Sequence, residues 1–459
     1  MFARHRLLAA ALLLGALHPA NLSAQSGRAG GGDAAGGGGG RAQWDVTLAR
    51  GKTRDIDFTT NEGTWTSVDI SPDGQWVAFD LLGHIYRMPV SGGDATVLTQ
   101  NSGVALNFHP RISPDGKTIA FITDRRGQYN LWVMNADGSN PHAVFSDLNS
   151  TAVEPAWTPD GNYIIVRRGG RGGGEGGGGG AGLWMYHKDG GTGVQLVGAG
   201  GGRGAGGNGA PSWPSPSADG KYLYYQVSMA TDTKELLSGS IQLRRFDLKT
   251  GETLDVTNGE SNGAAAGRFS SGGGAVPEIS PDGRWLAFGR QIPDGLYEYK
   301  GHKYGPRSAL WLRDMKTGAE KMVMDPIDPM VTSGSKTLGV LPRYKWAKDG
   351  KSIVLAQGGK IRRLDVATKA VSTISSTAKV NRTISEMARK EFRVADGPVA
   401  AKFFRWPSAS PDGRTIAFQA VGRIYTQAGV TGTPKRLTDA SFQPLEYAPA
   451  WSPDGRSIA

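Results

Sequence analysis

The sequence has 459 residues, a formal net charge of +11, 69 glycines and no cysteine. Without cysteine the chain cannot form disulfide bonds or carry a lipid on a thiol. Its Lys and Arg residues are scattered, and the densest basic run, 379–393, also contains Glu386 and Glu391. A nucleic-acid surface would instead gather basic residues on one element with aromatic residues between them, so we expect no nucleic acid as a partner.

The first 24 residues have the pattern of a secretory signal peptide. Arg4 and Arg6 form the charged start, Leu7–Leu17 the apolar centre, and Leu22-Ser-Ala24 the small-residue cleavage site. The apolar centre is short for a bilayer span, so we expect no stable membrane span after signal removal, with a retained anchor as the alternative. A Gly-rich leader follows over 25–43 and should be flexible. These segments predict a periplasmic or secreted protein.

From residue 44 to residue 459 the sequence repeats one turn signature eight times. Pro presets φ, Asp can accept a bond from the backbone ahead, and Gly tolerates positive φ, so each copy predicts a tight turn. The Asp residues of successive copies lie 42, 45, 59, 63, 67, 63 and 42 positions apart. A unit of about 40 residues with one such turn is typical of a β-propeller blade, which is a four-stranded sheet. The copies are Ser71-Pro-Asp-Gly74, Ser113-Pro-Asp-Gly116, Thr158-Pro-Asp-Gly161, Ser217-Ala-Asp-Gly220, Ser280-Pro-Asp-Gly283, Ala347-Lys-Asp-Gly350, Ser410-Pro-Asp-Gly413 and Ser452-Pro-Asp-Gly455.

Each turn is flanked by predicted strands. Near-continuous apolar runs such as Trp76–Phe79 follow the turns and indicate strands that are covered on both faces. For the first blade we predict strands at Trp65–Ser71, Gln75–Leu81, His84–Val90 and Thr96–Thr99. In six copies a proline lies five residues before the Asp, which is typical of the first residue of an inner strand. These prolines are Pro110, Pro155, Pro214, Pro277, Pro407 and Pro449.

The sequence therefore predicts an all-β chain with one β-propeller of seven or eight blades over 44–459. Lys52–Phe58 has the pattern of an outer strand, and we expect it to pair with the last blade and close the ring. The eighth copy ends at Ala459, one position before a slot that is aromatic or large aliphatic in the other seven copies. We therefore expect a truncated last blade and a propeller that is incomplete at its C-terminus, as in a fragment.

Three insertions lengthen the middle blades. Gly169–Gly182 and Gly198–Gly209 are Gly-rich, and we expect both to be surface insertions. The third insertion, Asp294–Pro306, carries three Tyr residues together with Lys and His. It is either a contact surface for a partner or a hairpin that packs on the next blade.

No local catalytic motif is visible in the sequence. The seven His residues form no His-x-His or His-Glu-x-x-His pair, and there is no Gly-x-Ser-x-Gly elbow. Charged and aromatic residues beside the strand-entry prolines are candidate ligand contacts at one mouth of the channel. Arg-rich funnels attract anions, so one interpretation is a site for a peptide end or an acidic small molecule, and the other is a solvated rim with internal ion pairs. The candidates are His109, Arg111, Glu154, Trp213, Glu278, Arg343 and Arg405.

The turn signature, followed by an Ile-Ala-Phe-like strand and an Ile-Tyr or Leu-Trp strand, resembles the repeat of TolB-like (WD-like) β-propellers. That repeat also occurs in tricorn-like proteases and in the propellers of prolyl-oligopeptidase-type peptidases. Longer stretches resemble the N-terminal propeller half of exported bacterial amidohydrolase-family proteins. These stretches are Thr53–Phe58, Glu62–Trp65, Asp80–Tyr86, Leu183–His187, Tyr304–Arg307 and Arg382–Ala388.

The second resemblance implies a hydrolase whose metal ligands, beginning with a His-x-His pair, lie in a barrel after the propeller. A divalent metal such as zinc would be bound in that barrel, and this chain would hold no cofactor. The propeller would bind or position a peptide, small-molecule or protein ligand on its face. Two alternatives remain, a stand-alone periplasmic TolB-like protein-binding propeller and the propeller of a prolyl-oligopeptidase-type serine peptidase.

Overall fold

The computed structural model describes residues 47–49, 51–145, 150–170, 182–198, 208–230, 239–257, 274–292, 296–304, 307–329, 341–386, 397, 400–439, 441 and 444–459. The chain divides into two compact units, Met1–Glu386 and Met387–Ala459. The predicted signal peptide, the Gly-rich leader and the interiors of both Gly-rich insertions lie outside the described residues. Within these ranges no helix has the length and apolar character needed to cross a membrane.

The repeated turn is held by its own side chains. In the first copy, Ser71 Oγ donates to Asp73 Oδ1 (2.5 Å), the Gln75 N–H donates to the same oxygen (3.0 Å), and the Trp76 N–H donates to Ser71 Oγ (3.0 Å). The bond from Ser71 lowers the pKa of Asp73. The glycines of all eight copies have φ between 65° and 74°, where a side chain would be strained. The turn chemistry read from the sequence is confirmed.

The described part of the first unit contains six sheets with a four-stranded antiparallel core. The chain enters through strand β1 (Thr53–Thr60) and ends the first sheet with a short 3₁₀ helix, Gln100–Ser102. Sheet 1 contains β2 (Val68–Ile70), β3 (Trp76–Leu81), β4 (His84–Pro89) and β5 (Gly93–Val97); sheet 2 contains β6 (Asn107–Ile112), β7 (Thr118–Thr123), β8 (Asn130–Asn135) and β9 (His142–Ala143); sheet 3 contains β10 (Ser150–Trp157), β11 (Tyr163–Gly170), β12 (Gly182–His187) and β13 (Val194–Gly198).

The other three sheets repeat this meander, and sheet 5 carries the third insertion as a separate hairpin. Sheet 4 contains β14 (Asn208–Pro216), β15 (Tyr222–Ala230), β16 (Gly239–Asp247) and β17 (Thr253–Asp255). In sheet 5, β18 (Ala275–Ile279) and β19 (Trp285–Gln291) are followed by a separate two-stranded sheet of β20 (Tyr297–Tyr299) and β21 (His302–Tyr304), and then by β22 (Ser308–Asp314) and β23 (Glu320–Ile327), which complete sheet 5. Sheet 6 contains β24 (Lys345–Trp346), β25 (Ser352–Gln357), β26 (Lys360–Asp365) and β27 (Val371–Ile374).

The core lies between neighbouring sheets. The second strand of sheet 1, β3, is buried at every position, as the apolar run predicts. Between sheets 1 and 2, Ala78 and Ile85 pack with Ile119 and Phe121. Phe121 is fully buried, and burying a side chain of this size contributes about 1.5–3 kcal/mol relative to leaving it exposed. The apolar faces of each strand pair therefore hold the sheets together in sequence.

The sixth sheet packs against the first. Val354 and Ile361 of sheet 6 share one core with Val68 and Phe79 of sheet 1. The backbone joins the same two sheets, since the Val68 N–H donates to Arg343 O at 3.0 Å. In the described residues of the first unit, the six sheets thus form a closed series. The prediction of one ring of seven or eight blades is not confirmed, because the spacing of turns counts repeats without showing which sheets are neighbours.

A strap of two strands covers the outer edge of sheet 1. β28 (Ser376–Ser385) follows β27 after one residue, pairs in parallel with β5 and pairs antiparallel with β1. Ile56 of β1 lies opposite Arg382 of β28. The prediction that Lys52–Phe58 pairs with the last blade is therefore wrong. The strand finds its partner just after sheet 6, a pairing across more than 300 residues that the local pattern could not reveal.

The second unit contains the seventh and eighth copies of the turn. Its described sheet consists of β29 (Arg405–Ala409), β30 (Thr415–Ala420), β31 (Arg423–Ala428) and β32 (Lys435–Arg436). The eighth copy forms its turn, and Trp451 pairs with Ile458 in an antiparallel bridge. Trp451 Nε1 donates to Ser408 O at 3.0 Å. Trp157 and Trp346 make the same bond to the preceding sheet in the first unit, so the eighth copy begins a further sheet beside β29.

Candidate binding site

Two positions in each of the six inner strands of the first unit bring side chains toward those of the other inner strands. They lie six and four residues before the Asp of the repeated turn. Arg343 shows how closely these strands approach one another. Its Nη1 donates to Pro155 O of β10 (3.1 Å), its Nη2 donates to Pro214 O of β14, and Nη2 lies 3.6 Å from Glu278 Oε2 of β18. We call the charged residues at these positions the axial cluster. They are Asp69, Arg111, Glu154, Glu278, Arg343 and Lys345.

The inner strands are kinked where the prolines enter them. A residue with positive φ precedes the proline in four inner strands, and a register shift marks the same place. The kink turns the backbone N–H toward an acceptor on the preceding sheet, as when the His109 N–H donates to Asp80 Oδ2 at 2.8 Å. Positive φ costs a non-Gly residue about 1–2 kcal/mol, which this bond to a carboxylate offsets. The four residues are His109 (54°), Glu154 (60°), Trp213 (55°) and Val276 (52°).

The pKa values of two carboxylates in the axial cluster, Asp69 and Glu278, are shifted in opposite directions. Asp69 accepts the Ile112 N–H at 2.7 Å and lies 3.4 Å from Arg111 Nη1, but burial raises its pKa. Burial also acts to raise the pKa of Glu278. There the charges of Lys345, which donates to Oε1, and of Arg343 prevail, so that the pKa of Glu278 is lowered. Glu278 is therefore ionised near neutral pH.

Two buried guanidinium groups lie close to these acids. Arg343 is 2% exposed and stacks over the Trp213 ring at 5.5 Å; burial and the charge of Arg111 lower its pKa to about 10. Arg111 is 4% exposed and contacts Val68 O and Asp69 through Nη1, each at 3.4 Å. Its Nε and Nη2 have no hydrogen-bond partner among the residues that the structure describes.

The structure brings six of the seven candidate ligand contacts together. His109, Arg111, Glu154, Trp213, Glu278 and Arg343 all lie in the first unit, and none is more than 4% exposed. Their burial does not fit a solvated rim, whereas the internal ion pairs that the same interpretation included are present at Arg111, Glu154, Glu278 and Arg343. Arg405 is exposed on β29 of the second unit and does not belong to the axial cluster. Whether the six residues contact a ligand remains a prediction.

Three residues of this region were missed in the sequence. Asp69 and Lys345 stand four residues before their Asp, like Arg111 and Glu278, but their strands carry no entry proline. The common repeat position was the signal that could have revealed them. Asp80 lies seven residues after its Asp and binds the N–H groups of Ser67 and His109, each at 2.8 Å. Burial raises the pKa of Asp80 to about 7, although both bonds lower it.

The described part of the third insertion, 296–304, forms a two-stranded hairpin. Lys300 at its tip lies 3.3 Å from Glu62 Oε1, which precedes sheet 1. Its role as a contact surface remains a prediction. Within the described ranges no group of three or more His, Asp or Glu residues is placed to hold a metal ion. No residue set there fits the divalent metal that the amidohydrolase resemblance implies.

The four-stranded sheets and their turns are those of a β-propeller-type all-β protein, and solved structures similar to the chain include TolB-like proteins. No protein-family model matches it. It is 28% identical over 187 residues to the uncharacterized peptidase YuxL of Bacillus subtilis, covering 40% of this chain and 22% of that protein. It is 36% identical over 78 residues to the uncharacterized protein Atu1656 of Agrobacterium fabrum, covering 16% of this chain and 26% of that protein. The matches thus span about a quarter of each relative.

Among solved structures, TolB from Acinetobacter baumannii is similar with 16% identity and a TM-score of 0.34, covering 84% of this chain and 82% of that one. The fold assignment itself rests on the sheet order and on the contacts between sheets described above.

Proposed function

We propose that the chain is the propeller module of an exported amidohydrolase-type hydrolase. In this role it binds or positions a substrate or partner for a metal-dependent barrel elsewhere in the full protein. The proposal includes export by a signal peptide cleaved after Ala24, and a periplasmic or secreted location.

One observation carries the amidohydrolase assignment. Three of the stretches on which the resemblance rests, Thr53–Phe58, Asp80–Tyr86 and Arg382–Ala388, lie far apart in the sequence but are bound together in the fold. Arg382 donates through Nη1 to Leu82 O (2.7 Å), and Thr383 Oγ1 donates to Asp55 Oδ1 (2.6 Å). The three stretches therefore belong to one feature of the fold, the strap of β1 and β28 together with the part of sheet 1 that it contacts.

The strap also fixes the two ends of the first unit to each other. Arg382 is 7% exposed, and its Nη2 donates to Ala105 O at 3.0 Å. Gly83 allows this approach, because a Cβ at that position would lie 2.3 Å from Arg382 Nη1. A propeller held closed in this way is a rigid platform for recognition, in keeping with a binding or positioning role.

A second candidate is the propeller of a serine peptidase. It is favoured by the 187-residue match to YuxL, a relative that is named as a peptidase. The third candidate, a stand-alone TolB-like propeller that binds proteins, shares the repeat and its turns.

The coding sequence after the codon for Ala459 distinguishes the three candidates. A His-x-His pair in a predicted βα barrel supports the amidohydrolase assignment, whereas a Gly-x-Ser-x-Gly elbow between a strand and a helix supports the peptidase. A stop codon after one more blade contradicts both. Export is tested by cell fractionation and by sequencing the N-terminus of the purified protein, which should begin at Gln25.

A further inference from the structure

We propose that the axial cluster is a binding site for one carboxylate group, held by Nε and Nη2 of Arg111. The carboxylate belongs to a peptide C-terminus or to a small acidic molecule. This inference rests on the proposed binding role of the propeller and specifies the ligand chemistry that the role would use.

The donors of Arg111 are the first reason. Buried N–H groups are almost always hydrogen-bonded, because leaving one unmade costs its full desolvation. Arg111 is 4% exposed, and two of its three nitrogens have no hydrogen-bond partner in the described part of the chain. Two adjacent donors on one guanidinium edge match the two oxygens of a carboxylate.

The same chain shows what this edge of a guanidinium binds. In Arg307, Nε and Nη2 donate to the two oxygens of Asp325 at 2.8 and 3.0 Å. In Arg284, Nε and Nη2 both reach Asp314 Oδ2, at 3.4 and 3.1 Å. Arg111 presents the corresponding pair of nitrogens, while the carboxylate with which it forms an ion pair, Asp69, lies on Nη1.

The charges of the axial cluster are the second reason. Glu154 is paired with Arg167, whose Nε lies 2.9 Å from Oε1. Asp80, which also interacts with the charge of Arg111, has its pKa raised to about 7 by burial and carries little charge below that pH. That leaves three cations, Arg111, Arg343 and Lys345, beside two acids, Asp69 and Glu278. Arg111 and Arg343 repel each other strongly enough for Arg111 to contribute to the lowered pKa of Arg343. One added negative charge balances the cluster, whereas a phosphate with about two charges would exceed the balance.

Lys345 gives the site a solvent-facing entrance. It occupies the same repeat position as Asp69 and Arg111, and its side chain is 41% exposed although its ammonium group pairs with buried Glu278. A carboxylate that enters beside Lys345 meets an attractive charge before it reaches Arg111. The exposed ammonium would therefore raise the association rate more than the final affinity.

The test measures binding to the purified chain by calorimetry, and the association rate by stopped-flow tryptophan fluorescence, both at constant ionic strength. The probes are an N-acetylated tripeptide with a free C-terminus, the same peptide as its C-terminal amide, propionate and inorganic phosphate. The variants are Arg111→Lys, which keeps the charge and removes the two-nitrogen edge, and Lys345→Gln at the entrance. Arg284→Gln is the matched control, because Arg284 is 57% exposed and lies outside the axial cluster.

We expect an acid probe to bind and the amide to fail. Arg111→Lys should weaken the binding at least about tenfold, the value of one bond to a charged group, while Arg284→Gln leaves it unchanged. Tighter binding of the peptide acid identifies a peptide end, and tighter binding of propionate identifies a small acid. The inference is overturned if neither acid binds, if the amide or phosphate binds equally well, or if Arg111→Lys binds like the wild type.

The inference can be refuted even if the Arg111→Lys variant does not fold. Should Arg111→Lys lose its β-sheet circular dichroism, Lys345→Gln decides, and an unchanged association rate for the acid probe contradicts the entrance and the site. The outcome is also independent of the proposed function, because the downstream coding sequence is read without reference to binding. If the coding sequence encodes a barrel but the chain binds neither acid probe, only the carboxylate site is refuted.

Discussion

Replacing Arg343 by Met should unfold the first unit at a markedly lower urea concentration. The guanidinium is 2% exposed and donates to carbonyl groups of sheets 3 and 4, Pro155 O and Pro214 O. Each bond from a charged donor contributes about 1.5–3 kcal/mol, and removing one partner of a buried ion pair costs about 3–5 kcal/mol. Met retains much of the volume, and Glu278 keeps Lys345, so we expect a loss of about 3 kcal/mol, at the lower end of that range.

The assay is urea unfolding followed by tryptophan fluorescence and circular dichroism. Hydrogen exchange of the β10 and β14 amides assigns the loss to the first unit. Arg284→Met is the control, since its partly exposed pair with Asp314 should contribute less than about 1 kcal/mol. The reasoning is refuted if Arg343→Met costs no more than this control. A coupling below about 0.5 kcal/mol in the double cycle with Glu278→Gln would show that the ion pair contributes nothing.

Three further predictions concern the strap, the buried acid and the turn. Arg382→Ala should cost about 2–4 kcal/mol by freeing Leu82 O and Ala105 O, and hydrogen exchange of β1 should quicken while that of β10 does not. Burial raises the pKa of Asp80 from 3.8 to about 7, so the stability that the protonated Asp80 contributes is complete below pH 3.8 and is lost as the pH rises to about 7. In Asp80→Asn the urea midpoint should therefore differ less between pH 5 and pH 8 than it does in the wild type. Ser280→Ala, which removes the bond to Asp282, should lower the free energy of unfolding by about 1 kcal/mol and so lower the melting temperature. Ala347→Ser adds the missing hydroxyl to the sixth turn and should raise the melting temperature. If both substitutions shift the melting temperature in the same direction, the turn mechanism is contradicted.

The local elements of the fold were predictable because their causes are local. Turn chemistry placed all eight turns, and the apolar run Trp76–Phe79 correctly indicated a strand buried on both faces. The predicted third strand of the first blade, His84–Val90, is observed as His84–Pro89. Each of these features depends on residues that are neighbours along the chain.

The partners of β1 and of sheet 6 could not be predicted, because they depend on contacts between distant residues. β1 carries alternating Ile56 and Phe58 that suit an outer strand on any sheet. Only the packing of Val354 and Ile361 on sheet 1 decides that the series closes after six sheets in the described first unit. Four of the six residues of the axial cluster were named from the sequence, namely Arg111, Glu154, Glu278 and Arg343, but their burial could not be predicted because it follows from the closure of the six sheets.

The strand-entry prolines mark the start of an inner strand and also a place where the backbone N–H of the preceding residue can bond to another sheet. At three of the four kinks, those of His109, Trp213 and Val276, the N–H of the positive-φ residue donates to a side chain of the preceding sheet. The Trp213 N–H of sheet 4 donates to Glu154 Oε2 of sheet 3 at 2.7 Å, and the Val276 N–H of sheet 5 donates to Gln226 Oε1 of sheet 4 at 2.8 Å. In sheet 6 no proline lies five residues before the Asp, and the Arg343 side chain donates to Pro155 O of sheet 3 and to Pro214 O of sheet 4. The Arg343 N–H also donates to Ser67 Oγ beside sheet 1 at 3.3 Å, so the most buried cation of the axial cluster joins sheet 6 to three other sheets.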